Sequence, residues 1–166
     1  MVETIKWEGN LSNGFVSIID QTKLPNQMEV LKISTPENMW QAIQKLQVRG
    51  APAIGIAAAY GLILGIRDAK SKNELFEKIE KMATYIGSSR PTAVNLFWAL
   101  ERMKKKSFVL KDMEFGEILA NLLKEAGDIL EEDRKICYSL GKVGDSLVAD
   151  KANLLTRSEE RRVGKE

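Results

Sequence analysis

Histidine is absent from the 166 residues. That removes histidine general bases, Ser-His-Asp and Cys-His nucleophile pairs, and histidine-bearing zinc sites. Cysteine occurs once, as Cys137, so no internal disulfide can form, and a reducing compartment, the cytoplasm, is expected. Long apolar runs are missing as well. The most apolar stretch, Ala51 to Ile66, falls short of the roughly 20 residues a membrane span needs, and Arg67 follows at once. The first ten residues are polar and mixed, without the basic-then-apolar order of a signal peptide. An excess of one charge is also lacking, the net being +2. Lys104, Lys105 and Lys106 are the only compact basic run, and a solvated helix end accounts for it, so neither nucleic acid nor a membrane is an expected partner. Carboxylates, lysine, arginine, backbone dipoles and one thiol remain to carry any chemistry.

What is present suits one soluble domain with a real core: 44% hydrophobic and 29% charged residues. Ile5 and Trp7 alternate with polar neighbours, Asn13-Gly14 is a turn signal, Phe15 to Ile19 is β-prone, and Met28 to Ile33 supplies a third strand. The hydrophobic period then changes from two to about 3.6. Thr35 is placed as an N-cap with Pro36 at the first helical position, ahead of the apolar face Met39, Trp40, Ile43 and Leu46. A helix apolar nearly all round is expected from Pro52 to Ala69, and an amphipathic one from Glu74 to Tyr85. Pro91 opens another, faced by Val94, Phe97, Trp98 and Leu100. The longest periodic stretch runs from Phe115 to Leu147, with Gly127 and Gly141 as points where it bends or breaks. The expected class is α+β: a small N-terminal antiparallel sheet followed by a helical bundle.

One local pattern occurs twice. Arg49-Gly50-Ala51-Pro52 precedes the apolar helix, and Ser88-Ser89-Arg90-Pro91-Thr92 precedes the helix holding Trp98. A helix start offers unpaired N–H groups and the positive end of a dipole, while arginine adds a forked, permanent charge. Two such starts converging would cradle a phosphate. The same pattern also serves to satisfy a nearby carboxylate or to make a tight turn, and Ser88 and Ser89 either donate to an anion or form the preceding turn. Asp20, a loop acid at a strand end, orients a neighbour or caps a turn. Cys137 and Asp133 fall on the apolar stripe of the long helix, where packing, and for Asp133 a buried partner, is expected. Trp7, Trp40 and Trp98 are core candidates.

Three blocks carry a resemblance: Asp20-Gln21-Thr22-Lys23-Leu24-Pro25, Val48-Arg49-Gly50-Ala51-Pro52-Ala53-Ile54-Gly55, and Ser89-Arg90-Pro91-Thr92-Ala93-Val94-Asn95-Leu96. In order and spacing they resemble the methylthioribose-1-phosphate isomerase family, and Glu132-Asp133 fits too. The resemblance implies an N-terminal domain over 1–152 and, at 153–156, the start of a Rossmann-like C-terminal domain that is missing here. It makes Arg49, Gly50, Ala51 and Arg90 substrate-binding residues, chiefly for phosphate. It also implies aldose-to-ketose isomerisation of S-methyl-5-thioribose 1-phosphate in methionine salvage, no metal or organic cofactor, and a homodimeric full-length protein. The family continues from the segment matching Asn153 to Thr156 into His-Cys-Asn, whose cysteine is catalytic, and carries a catalytic aspartate later. This sequence has Arg157-Ser158-Glu159 instead, so residues 157–166 are expected to be a non-native tail, and the chain to be inactive alone. Related branches of the superfamily are regulatory subunits of a translation-initiation exchange factor and ribose 1,5-bisphosphate isomerases. The unbroken Arg-Gly-Ala-Pro and Ser-Arg-Pro-Thr blocks speak for the sugar-phosphate enzymes.

Overall fold

Three segments between Ile5 and Ile33 pair because their apolar side chains alternate. In the computed structural model, which describes residues 3–149 and 152, β1 (Ile5–Glu8), β2 (Phe15–Ile19) and β3 (Val30–Ile33) form an antiparallel sheet in the order β1-β2-β3. The register sets Ile5 opposite Ile18 and Trp7 opposite Val16, then Val16 opposite Ile33 and Ile18 opposite Leu31. All six therefore share one face, which the core covers: Ile5, Val16, Ile18 and Ile33 are buried, and Trp7 and Leu31 partly so. The first turn is tied by Asn10, whose Oδ1 accepts from the Ser12 and Asn13 amides and the Ser12 hydroxyl. The third strand is shorter than the sequence suggests, because Met28 lies before it and is exposed.

Five helices follow: α1 (Pro36–Gln44), α2 (Ala51–Ile66), α3 (Lys72–Gly87), α4 (Val94–Val109) and α5 (Phe115–Asp145). The chain divides into a larger compact unit up to Asp133 and a smaller one from Arg134 onward. In the larger unit α2 is the hub. It touches α1, α3, α4 and β1, and twelve of its residues from Ile54 to Ile66 are buried, which is what its all-round apolar composition requires. Beyond its last turn, Arg67 donates to the backbone carbonyls of Gly14 and Ser34, fastening the helix to the sheet. Gly55 permits a close approach of backbone to backbone: a Cβ there would stand 2.8 Å from the Asn95 carbonyl oxygen and 3.6 Å from Ala99 Cβ. The start of α4 can thus lie directly against the first turns of α2.

Three sequence expectations are corrected. Pro91 does not open α4; residues 91 and 92 form a turn, and the helix begins at Val94 with Ala93 as its N-cap. The buried face of α4 is Leu96, Ala99, Leu100 and Met103, whereas Val94, Phe97 and Trp98 are exposed. The periodic stretch is one helix through Gly127 and Gly141, but its apolar stripe is buried only as far as Leu130. In the smaller unit Ile136, Leu140, Val143 and Leu147 are exposed, as is Cys137, and in the larger unit Asp133 is only half-buried. The expectations for 153–156 and 157–166 lie outside the described residues.

Candidate functional site

The two arginine-bearing helix starts meet at one cleft. It has a volume of about 370 Å³ and is lined by Gly50, Ala51 and Ile54 from α2 and by Arg90, Thr92, Ala93, Val94 and Asn95 around the start of α4. Of the residues singled out in the sequence, Gly50, Ala51 and Arg90 come together here. The Arg49 side chain is exposed and is not part of the lining.

The two helices that end on the cleft differ from their neighbours in how their first turns are finished. Helix α1 is capped by Thr35, whose Oγ1 accepts from the Asn38 amide, and has Glu37 in its first turn. Helix α3 is capped by Ser71, which accepts from the Glu74 amide, and has Glu74 in its first turn. Helices α2 and α4 have no side-chain cap and no acidic residue in the first turn. A capping oxygen and a first-turn carboxylate are the usual internal partners of the orphan N–H groups and the positive dipole end. Where both are withheld at two converging starts, the first-turn donors are left to solvent or to an external anion.

Local backbone geometry keeps the approach open. Gly50, the N-cap of α2, has φ of +94°, and a Cβ built on it would meet nothing within 4 Å. Only glycine adopts that conformation freely, and its bare Cα leaves the Ala51 end of the helix accessible from the cleft. Arg90 follows a turn closed by Ser88 and Ser89. The Ser88 hydroxyl donates to the Tyr85 carbonyl at 2.7 Å and accepts from Trp40 Nε1 at 2.9 Å; the Ser89 hydroxyl donates to the Ile86 carbonyl at 2.6 Å. Both serines therefore build the turn. Trp40 also stacks on Tyr85, with ring centroids 6.1 Å apart.

The arginines divide by use. Arg67 is bound to backbone carbonyls, and Arg102 is paired with Glu125 at 2.7 Å and with Glu132. Among the described residues, Arg49 and Arg90 form no ion pair with a carboxylate, which leaves two permanent positive charges beside the uncapped helix starts.

Asp20 is 2% exposed. Its Oδ1 accepts from the Thr22 hydroxyl at 2.6 Å and the Thr22 amide at 3.0 Å, and its Oδ2 accepts from Gln47 Nε2 at 2.8 Å. The Thr22 hydroxyl bond is the chief reason the carboxyl titrates below the ordinary aspartate range; burial pushes the other way, and the Thr22 amide and Gln47 add to the lowering. Its contact with Gln47 joins residues 27 apart in sequence, which no local pattern could have announced. Thr92, Asn95 and Ile54 were likewise not singled out as lining residues, although all three sit inside the recognisable blocks. The residues lining the cleft include no carboxylate, thiol or amine, and Arg90 supplies their one charge.

The chain is similar to proteins of known family. The model of the Initiation factor 2 subunit family matches residues 47–165. A 5-deoxyribose 1-phosphate isomerase from Moorella thermoacetica is 44% identical over 157 residues, covering 93% of this chain and 44% of the relative. Among solved structures, a 5-methylthioribose 1-phosphate isomerase from Pyrococcus horikoshii superposes with a TM-score of 0.73 at 39% identity, over 80% of this chain and 36% of that one. The translation initiation factor eIF-2B, subunit delta, from A. fulgidus superposes with a TM-score of 0.81 at 37% identity, over 91% and 43%. The chain thus spans less than half the length of each.

Proposed function

We propose, for a chain that belongs to the Initiation factor 2 subunit family, that the cleft between α2 and α4 holds the phosphate of an aldose 1-phosphate undergoing isomerisation to the ketose. The substrate we assign is S-methyl-5-thioribose 1-phosphate, as in methionine salvage; 5-deoxyribose 1-phosphate presents the same phosphate end. The observation that carries this reading is the pair of helix starts without cap or carboxylate, facing one cleft with Arg90 at its edge.

A phosphate on the anomeric oxygen blocks free ring opening, so the reaction needs acid assistance before hydrogen passes between C2 and C1. Holding the phosphate fixes the sugar in register and supplies remote binding energy for those steps. The Gly50 and Ala51 backbone and Arg90 perform that holding, with Arg49 closing over the anion from outside. The proton-moving groups are not among the cleft residues, so the 166-residue chain binds and does not isomerise. In the family resemblance those groups belong to a second domain, within a cytoplasmic homodimer.

Two measurements test the proposal. Titration of the chain with ribose 1-phosphate should shift the Gly50, Ala51 and Asn95 amides, and an isomerase assay on S-methyl-5-thioribose 1-phosphate should give no ketose. Turnover by the chain alone would overturn the division between binding and chemistry. The closer superposition on the eIF-2B subunit supports a second reading, a regulatory module that binds a ligand or protein without isomerising it. Arg49 and Arg90, which pair with no carboxylate among the described residues, favour the sugar phosphate.

A further inference from the structure

Resting on that reading of the cleft, we infer that Asp20 is a positioning residue for the anion site, acting through Gln47 on the Arg49–Gly50 turn. The chain leaves α1 with Leu46 at φ +61°, while the Gln47 amide donates to the Ala42 carbonyl at 2.9 Å and the Leu46 amide to the Ile43 carbonyl at 3.2 Å. This pair of bonds reverses the chain and ends the helix. It leaves only Gln47 and Val48 between the reversal and the arginine. Val48 is buried as an anchor. Gln47 is held on both sides by the β2–β3 loop: its side-chain Nε2 donates to Asp20 Oδ2 at 2.8 Å, and its carbonyl accepts from the Gln21 amide at 3.1 Å. The Gln21 side chain reaches further and donates to the Arg49 carbonyl over a long 3.4 Å.

Asp20 is itself fixed. Its other oxygen is occupied by Thr22, and its amide donates to the Glu29 carbonyl at 2.9 Å. A buried, fully partnered carboxylate is costly to place and is stiff once placed. Its Oδ2 holds the Gln47 side chain, while its neighbour Gln21 bonds the Gln47 and Arg49 carbonyls, immediately before Gly50, the residue whose positive φ opens the α2 start to the cleft. Without the Asp20–Gln47 bond, Arg49 and Gly50 would keep the buried Val48, the two Gln21 bonds, one of them long, and the first bond of α2, from the Ile54 amide to the Gly50 carbonyl. The loop therefore does more than turn the chain: it fixes where the helix-end donors point.

The test uses Gln47→Ala, which leaves the Asp20–Thr22 bonds in place, together with Asp20→Ala and the conservative Asp20→Asn. Ribose 1-phosphate is titrated into each 166-residue protein, and hydrogen exchange at the Gly50 and Ala51 amides is followed without ligand. Gln47→Ala should weaken ribose 1-phosphate binding about tenfold, the scale of one charge-assisted hydrogen bond, and speed exchange at both amides. Asp20→Asn, which keeps an acceptor for Thr22 and can still pair with a turned Gln47 amide, should restore both. Parental affinity and exchange in Gln47→Ala would overturn the inference, even if its urea midpoint falls, because a merely structural bond would move only the midpoint. Should the parent chain take up no ribose 1-phosphate, the reading of the cleft fails; the amide exchange then decides on Asp20 by itself.

Discussion

Replacing Gly55 by alanine sets two effects of known sign against each other. In an exposed helix interior, alanine is favoured over glycine by about 1 kcal/mol. At Gly55 the added methyl would lie 2.8 Å from the Asn95 carbonyl oxygen, a backbone atom that cannot swing aside as the end of a side chain can. Overpacking of this kind costs about 1–3 kcal/mol. The carbonyl belongs to the first turn of α4, so relief requires α2 and α4 to part by some tenths of an ångström. The net expectation is a loss of about 1–2 kcal/mol. Gly127→Ala is the matched control, because a Cβ there meets nothing within 4 Å and the propensity gain should appear alone, as about 0.5–1 kcal/mol of stabilisation. Urea unfolding followed by far-UV circular dichroism reads both. With a slope of about 1–3 kcal/mol per molar, Gly55→Ala should lower the midpoint by roughly half a molar or more while Gly127→Ala raises it. Because Asn95 lines the cleft, Gly55→Ala should also weaken ribose 1-phosphate binding severalfold. A Gly55→Ala protein as stable as the parent would refute the claim that backbone contact between α2 and α4 shapes the site.

Further expectations follow from particular contacts. Arg90→Ala should lower ribose 1-phosphate affinity by about ten- to a hundredfold with little change in the urea midpoint, because Arg90 makes no ion pair with a carboxylate among the described residues; Arg90→Lys should recover only part of it. Leu46→Gly should stabilise the fold by about 0.5–1 kcal/mol, relieving a left-handed conformation that costs a β-carbon-bearing residue about 1–2 kcal/mol, and thermal melting measures it. Arg102→Ala should destabilise by about 2 kcal/mol, since the buried Glu125 would keep only Lys106, at 3.0 Å, as a partner. Asp20 titrates below the ordinary range in the fold, so its share of stability is complete above the unfolded aspartate pKa of about 3.9 and is lost as pH falls through the lower folded value. Asp20→Asn should flatten that acid limb of the stability curve.

Much of the fold could be read in advance because its signals are local. Alternation at Ile5 and Trp7 and the β-prone run Phe15 to Ile19 marked the first two strands, and the all-round apolar α2 had to be buried. On α4 the same method chose the wrong face. Val94, Phe97 and Trp98 share a helical spacing as regular as that of Leu96, Ala99, Leu100 and Met103, and periodicity cannot say which stripe turns inward when its partner, α2, is apolar on every side. The deciding feature is long-range: Gly55 admits the Asn95 backbone, which fixes the roll of α4 and puts Leu96 in the core. Gly50, Ala51 and Arg90 were legible because helix-start chemistry is written in neighbouring residues. The Asp20–Gln47 link and the lining by Thr92 and Asn95 depend on where the β2–β3 loop and the α3–α4 turn come to rest. The stripe beyond Leu130 shows the converse, a regular apolar pattern whose residues Ile136 and Leu140 are exposed in this chain.

The central claim, that two uncapped helix starts form one sugar-phosphate cradle, is tested most directly by a ¹H–¹⁵N titration of the 166-residue chain with ribose 1-phosphate. The account requires saturable shifts at Gly50, Ala51 and Asn95 and at the Arg90 side-chain Nε–H, with the capped starts of α1 and α3 unmoved. No saturable shift at these positions, or equal shifts at the Thr35 and Ser71 ends, would contradict it.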